Sequence, residues 1–137
     1  MSKYNSKKVT IDGIDFDSKT EGDYYLYLCD LLRKDEIVGF EIQPKYTLIP
    51  KFEKDGKHYR EITYTPDFLV KYHSDRIVVV DIKGFSTQQG EMRAKMFNYF
   101  YPHIKLVWLT YVKKYGGWVE YNDLKKLRRA NKKKEDE

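Results

Sequence analysis

A carboxylate and an ammonium interrupt an otherwise apolar run, Ile77-Val78-Val79-Val80-Asp81-Ile82-Lys83. Side chains alternate across a strand, so Val79, Asp81 and Lys83 share one face while Val78, Val80 and Ile82 share the other. A carboxylate ending so apolar a strand loses hydration, a cost that a bound cation or the ammonium of Lys83 would offset. Upstream, Asp67 follows Pro66, and a turn at Ser74-Asp75 would fold the two segments side by side. A third acid, Glu21, lies on one helical stripe with Tyr25, Leu28 and Leu32 and is expected to point inward. Three acids and a lysine meeting at one end of a sheet would suit a hard divalent cation. Mg²⁺ in particular is usually held by a couple of carboxylates and keeps waters that a substrate phosphate can displace.

Taken singly, each group has an ordinary explanation. Ser18-Lys19-Thr20-Glu21 is a capping box, in which Glu21 would return a hydrogen bond to the backbone of Ser18. Pro66-Asp67 is a common turn signal, and Asp81-Ile82-Lys83 alone would be a surface ion pair of about 0–1 kcal/mol. The specificity lies in the combination: an inward glutamate on the preceding helix, Pro-Asp on one strand, Asp-x-Lys closing the next, then a basic helix.

The elements that must position these groups follow from patterning. Residues 9–16 alternate around Asp12-Gly13 as a hairpin, and 18–34 repeat at helical spacing through Tyr25, Leu28, Leu31 and Leu32. Residues 37–52 read as extended chain, 54–57 as a turn, and 58–72 as a long second arm. The strand at 76–83 is apolar on both faces and belongs in mid-sheet. Ser86 or Thr87 caps a helix with Met92, Met96 and Phe100 on one stripe, ending before Pro102, and 104–109 returns as a strand. Gly116-Gly117 then breaks the chain before a short basic helix around 122–129. The expected fold is α/β, a central mixed β-sheet flanked by helices, with one domain at 1–130 and a mobile charged tail at 131–137.

Composition bounds the partners. The chain has 137 residues, 41% of them hydrophobic, with no apolar run near the roughly 18–20 residues that span a bilayer and no signal-like start. This reads as a soluble, cytoplasmic protein with no membrane partner. The single cysteine, Cys29, sits in a helical apolar pattern and reads as core filler. A net charge of +5, with 16% aromatics including thirteen tyrosines, makes nucleic acid the first partner to test. His58, His73 and His103 form no ligand spacing.

Thr65-Pro66-Asp67-Phe68 together with Val80-Asp81-Ile82-Lys83 resembles the signature of the PD-(D/E)xK nuclease superfamily. Ser18-Lys19-Thr20-Glu21, Gln43-Pro44-Lys45-Tyr46 and Tyr99-Phe100-Tyr101-Pro102 resemble a small phage-borne branch of it, similar in layout to phage junction-resolving endonucleases. The resemblance covers about residues 10–110. It implies a restriction-endonuclease-like core and an Mg²⁺-dependent endodeoxyribonuclease, Mn²⁺ substituting, acting on DNA and in particular on branched or Holliday-junction DNA in phage recombination or replication within a bacterial host cell. It further implies that Asp67, Asp81 and the carbonyl of Ile82 hold a metal ion, that Glu21 completes the metal site, and that Lys83 positions the attacking water. Lys19, Arg93 and Lys95 become the expected DNA contacts, whereas Glu91 stands where another basic residue belongs. Cutting a junction symmetrically needs two sites related by a two-fold axis, so a junction resolvase would have to be a homodimer, which the sequence itself does not show. The alternative from another class is a non-catalytic nucleic-acid-binding or regulatory module on a nuclease-like frame. A third reading is a protein-interaction domain with structural ion pairs.

Overall fold

Two Asp-Gly pairs shape two small hairpins, one near the start of the described chain and one at 52–59. The computed structural model describes residues 7–84 and 87–135. At Asp12-Gly13 φ is 53° and 77°, and at Asp55-Gly56 it is 53° and 76°, the paired positive values of a type I′ turn whose twist suits the flanking strands. The first pair joins β1 (Val9–Ile11) to β2 (Ile14–Phe16), and the second joins β5 (Phe52–Lys54) to β6 (Lys57–Tyr59).

Between these hairpins runs α1 (Lys19–Arg33), where Ser18 acts as N-cap and its Oγ accepts from the Glu21 N–H at 3.1 Å. The helix buries Tyr24, Tyr25 and Leu28, with Leu31 partly covered, whereas Leu32 is 43% exposed. The inner face is thus rotated toward positions 24, 28 and 31, away from the expected line through Leu32. Tyr25 fixes the helix to the first turn by donating to Asp12 Oδ2 at 2.8 Å.

The central sheet has five strands in the order β11 (Gly117–Glu120), β10 (Lys105–Val112), β9 (Ile77–Ile82), β8 (Phe68–Lys71) and β3 (Gly39–Ile42). It is mixed: β9 runs parallel to β10 and antiparallel to β8, and both outer pairs are antiparallel. The arm expected at 58–72 is three strands, because Arg60-Glu61 and the Thr65-Pro66-Asp67 stretch interrupt it. Its middle piece, β7 (Ile62–Tyr64), leaves the main sheet to pair with β4 (Tyr46–Ile49).

Each face of β8 and β9 feeds its own core. Phe68, Val70, Val78 and Val80 pack under Tyr24, Tyr25 and Leu28 of α1, while Leu69 and Val79 pack with Leu48, Tyr64 and Phe97. Phe97 belongs to α2 (Gln88–Phe100), whose N-cap is Thr87, its Oγ1 accepting from the Gly90 N–H at 3.0 Å; Ser86, the other expected cap, lies outside the described residues. Of the stripe expected to face inward on α2, Met96 packs partly buried against this core, whereas Met92 is 61% and Phe100 48% exposed, and Ala94 and Phe97 are buried instead. The Phe97 ring meets Tyr46, Tyr64 and Tyr101 at centroid distances of 4.9, 5.5 and 5.1 Å. A rigid aromatic cluster contributes more buried area and fixed geometry than two flexible methionines, and it sets the rotation of the helix.

At the C-terminal end, one 3-10 turn, Lys113–Tyr115, and two glycines with φ of 93° and 114° turn the chain back as β11, where a plain break was expected. The basic helix is also longer than expected: α3 (Tyr121–Glu135) extends through residues 131–135, which the sequence pattern assigned to a tail. Buried Leu124 and partly covered Asn131 tie it down, and residues 136–137 lie outside the described residues. Among the described residues, no helix is long and apolar enough to cross a membrane.

Gly22 is the tightest joint between α1 and the first hairpin. A Cβ there would stand 2.8 Å from Val9 Cγ2 and 2.9 Å from Ile11 Cδ1. The stiff valine side chain cannot swing aside, so overpacking outweighs the gain in helix propensity. Gly22→Ala is expected to lower stability by about 1–2 kcal/mol, measured by urea unfolding; a variant more stable than the parent would show that the hairpin yields freely.

Candidate active site

The register of β8 and β9 sets the site. Phe68 pairs with Val80, and one further step along the ladder puts Asp67 across from Asp81, on the face shared with Leu69 and Val79. Asp81 is the one charged or polar residue among the described residues that is buried, at 6% exposure. Its Oδ2 accepts from the Tyr64 hydroxyl at 2.8 Å and from Lys83 Nζ at 3.0 Å. Asp67 Oδ2 accepts from the backbone N–H of Ile82 at 2.8 Å. Ile82, expected to contribute its carbonyl, is therefore brought to the site, and its N–H is the group seen to engage an aspartate.

Two aromatic residues complete this arrangement. Trp108 is the β10 partner of Asp81 in the parallel register. Lys83 Nζ sits 4.9 Å from the centroid of its ring, and its indole N–H points at the Tyr64 hydroxyl at 3.4 Å. Lys83, Asp81, Tyr64 and Trp108 thus form a closed ring of contacts that holds the ammonium in place. Neither Tyr64 nor Trp108 was singled out from the sequence. A tryptophan in the otherwise aliphatic run Leu106-Val107-Trp108-Leu109, and a tyrosine just before Thr-Pro-Asp, were the available signals.

The electrostatics carry the mark of crowded acids. The Asp67 carboxyl is raised well above the usual carboxylate range, first by burial, then by the charge of Asp81 and a hydrogen bond with it, with Glu21 adding to the repulsion and the Ile82 N–H opposing it. Glu21 is raised as well, chiefly by burial, then by Asp17, with Asp81 contributing. The Tyr64 phenol is held protonated far above its ordinary range by burial and by the Asp81 charge beside it.

Glu21 therefore lies within the electric field of both aspartates, yet it does not join them as a third ligand. Its carboxylate turns back to accept from the Asp17 N–H at 3.3 Å, one residue before the Ser18 backbone that a capping box would use. Among the described residues, no three His, Cys, Asp or Glu side chains are gathered closely enough to hold a metal. The expected convergence of three acids is met by two, because the third is engaged by the start of its own helix. Two facing carboxylates still fit a hard divalent cation, which commonly takes one or two protein carboxylates and fills the rest of its shell with water.

A cleft of about 380 Å³ opens over Asp81, lined by Thr63, Tyr64, Thr65, Asp81, Lys83, Gly90 and Arg93, and Asp67 faces Asp81 without lining the cleft. Arg93 is thus brought to the site as expected. Lys95 is exposed and is not among the described residues lining the cleft; two positions along a helix turn a side chain through about 200°. Lys19 is paired with Asp23 at 3.0 Å on the surface of α1. His58 and His73 lie beside Glu53 and Asp35, outside the cleft.

The model of a family described as "Protein of unknown function (DUF1064)" matches residues 1–117, which leaves α3 beyond the matched part. No curated protein matches the chain in sequence. Among solved structures the chain is similar to the crystal structure of SSO0001, at 16% identity and a TM-score of 0.42, covering 73% of this chain and 48% of that one. The chain therefore spans about half the length of that protein.

The raised carboxyl has a consequence for stability. The folded Asp67 keeps its proton to a higher pH than the unfolded chain does, so its contribution is full below about pH 4 and declines as pH rises toward the folded value. Asp67→Asn, which cannot ionise, is expected to melt roughly 3–5 °C higher than the parent at pH 8 without metal, about 1 kcal/mol, with the gap closing near pH 4. Added Mg²⁺ or Mn²⁺ should raise the melting temperature of the parent alone. A gap that does not change with pH would show that Asp67 and Asp81 do not repel.

Proposed function

The chain belongs to the DUF1064 family, described as of unknown function, and from its site we propose that it is a divalent-metal-dependent endodeoxyribonuclease of the PD-(D/E)xK type on a restriction-endonuclease-like core. The observation that carries this reading is the pair of carboxylates, Asp67 and Asp81, facing each other across adjacent strands with Lys83 held 3.0 Å from Asp81 at the strand end. Alternation along β9 puts acid and base on one face, and the adjacent strand adds the second acid.

The divalent cation would be held by Asp67, Asp81 and the Ile82 peptide, where it would lower the pKa of a water and screen phosphate charge. The protein residues do the rest. Lys83, its ammonium resting on Trp108 and only partly exposed, is fixed at the cleft wall, where it donates hydrogen bonds to the attacking water or to a phosphate oxygen. Tyr64 holds Asp81 in its rotamer and keeps its own proton at any working pH. Arg93 offers a bidentate grip for a phosphate at the opposite lip. Gly90, in the first turn of α2, opens the positive end of that helix to the cleft. Glu21 contributes field rather than a ligand bond, and its repulsion adds to the demand for a cation at the pair.

The test is a cleavage gel with linear, single-stranded, flapped and four-way DNA, each in Mg²⁺, Mn²⁺ and EDTA. Cutting is expected with either metal and none with EDTA. Asp81→Asn and Lys83→Ala are each expected to lower the single-turnover rate by about 10³-fold or more, the loss of several kcal/mol of transition-state stabilisation. DNA affinity measured in EDTA should change by only a few-fold. A Lys83→Ala protein that cuts at the parental rate would remove the assignment, and DNA binding indifferent to metal with no cut product would make the chain a non-catalytic binding module.

A further inference from the structure

Seven of the fifteen residues of α3 are Lys or Arg, against two acids. The apolar face of the helix is small and already committed: Leu124 is buried and Tyr121 and Asn131 are partly covered. Lys125, Arg128, Arg129 and Lys132 are all exposed, and their spacing of three, four and seven positions from the first places them on one face of the helix. The start of that face is fixed by a chain of ring contacts. Lys125 Nζ lies 5.0 Å from the Tyr121 ring, Tyr121 lies 6.0 Å from Trp108, and Trp108 carries Lys83 at 4.9 Å. The basic face is therefore linked through Tyr121 and Trp108 to Lys83, which lines the cleft. From Lys125 to Lys132 it spans about 10 Å, on the order of three phosphate steps along one strand.

We infer that this face of α3 is a phosphate-contacting surface that holds duplex DNA alongside the cleft, a role that rests on the nuclease reading above. The positive charge matches a polyanion, and its linear layout matches the regular spacing of a sugar–phosphate backbone rather than a single anion. An anionic membrane would need a broad exposed apolar face as well, and on α3 Leu127 is the one exposed large hydrophobic residue among those described. The contacts are to phosphates, so they add affinity without sequence preference.

The experiment measures binding of the full chain to a labelled linear duplex in EDTA across a salt series of about 50–200 mM. The stripe variant is Lys125→Gln with Arg128→Gln, Arg129→Gln and Lys132→Gln. A charge-matched control replaces Arg33, Lys34, Lys71 and Arg76 by Gln, all at the sheet's other end. The slope of log affinity against log salt is expected to become shallower by about 3–4 in the stripe variant, close to one per lost phosphate contact, and by less than about 1 in the control. The single change Arg129→Gln should give about one quarter of that effect, which keeps the test independent of how the fourfold variant folds. Equal slopes for parent and stripe variant, or equal losses in stripe variant and control, would overturn the inference. So would parental binding to phosphatidylserine vesicles that is lost in the stripe variant while DNA binding is unmoved. A parent that cuts DNA with an unaltered slope in the variant sinks this inference alone; a parent that neither binds nor cuts DNA sinks the nuclease reading with it.

Discussion

Two carboxylates that would separate in water are held opposite each other across one strand pair, and the cleft is organised around that constraint. Asp67 and Asp81 cannot move apart without shifting the register of β8 against β9. A one-residue slip of β8 would turn Phe68 and Val70 out of the α1 core and bring Leu69 into it, and a slip of β9 would do the same to Val78 and Val80 with Val79. Each buried aliphatic or aromatic side chain is worth about 1.5–3 kcal/mol, so even half of that set exceeds the repulsion between two partly solvated carboxylates. Apolar packing on both faces therefore dictates the electrostatics at the strand end. The stored cost has two outlets, a shared proton or a bound cation, and the raised Asp67 carboxyl is the first of them.

Lys83 by itself does not resolve the conflict. Its ammonium and the Tyr64 hydroxyl both go to Asp81, whereas Asp67 has the Ile82 N–H. One positive charge is thus set against two adjacent carboxylates, with Glu21 adding a third negative field. The ammonium lies 3.0 Å from Asp81 and 4.9 Å from the centre of the Trp108 ring, and Lys83 lines the cleft.

What could be read from the sequence was whatever depends on local period. Alternation along 77–83 put Asp81 and Lys83 on one face, the Asp-Gly pairs marked two tight hairpins, and Ser18 marked the start of α1. Features set by distant partners were not legible. The rotation of α2 is decided by Phe97 meeting tyrosines of β4, β7 and the helix end, which no helical period in 88–100 encodes. Glu21 lies on an inward stripe as expected, yet a backbone N–H four residues earlier in the chain competes for its carboxylate. Tyr64 and Trp108 reach the site from strands whose register is known only once the sheet is assembled. The pairing of β11 with β10 was hidden because Gly116-Gly117 reads equally as a stop and as a reversal.

On the nuclease reading, the distribution of charge around the cleft would separate two tasks that a single cluster could not perform together. The acid lining the cleft is Asp81, with Asp67 facing it from the adjacent strand, and a polyanionic substrate brought there without a cation would meet like charge at close range once both are ionised. The cleft rim is basic, with Lys83 and Arg93 on the walls and the start of α2 offering backbone dipole. Docking on the rim needs no metal, because Lys and Arg neutralise phosphate at any physiological pH. Seating a phosphate over Asp67 and Asp81 does need one, because only a cation reverses the sign there. On the nuclease reading, affinity and chemistry therefore answer to different variables, salt for the first and divalent ion for the second, and the buried strand end is what keeps them apart.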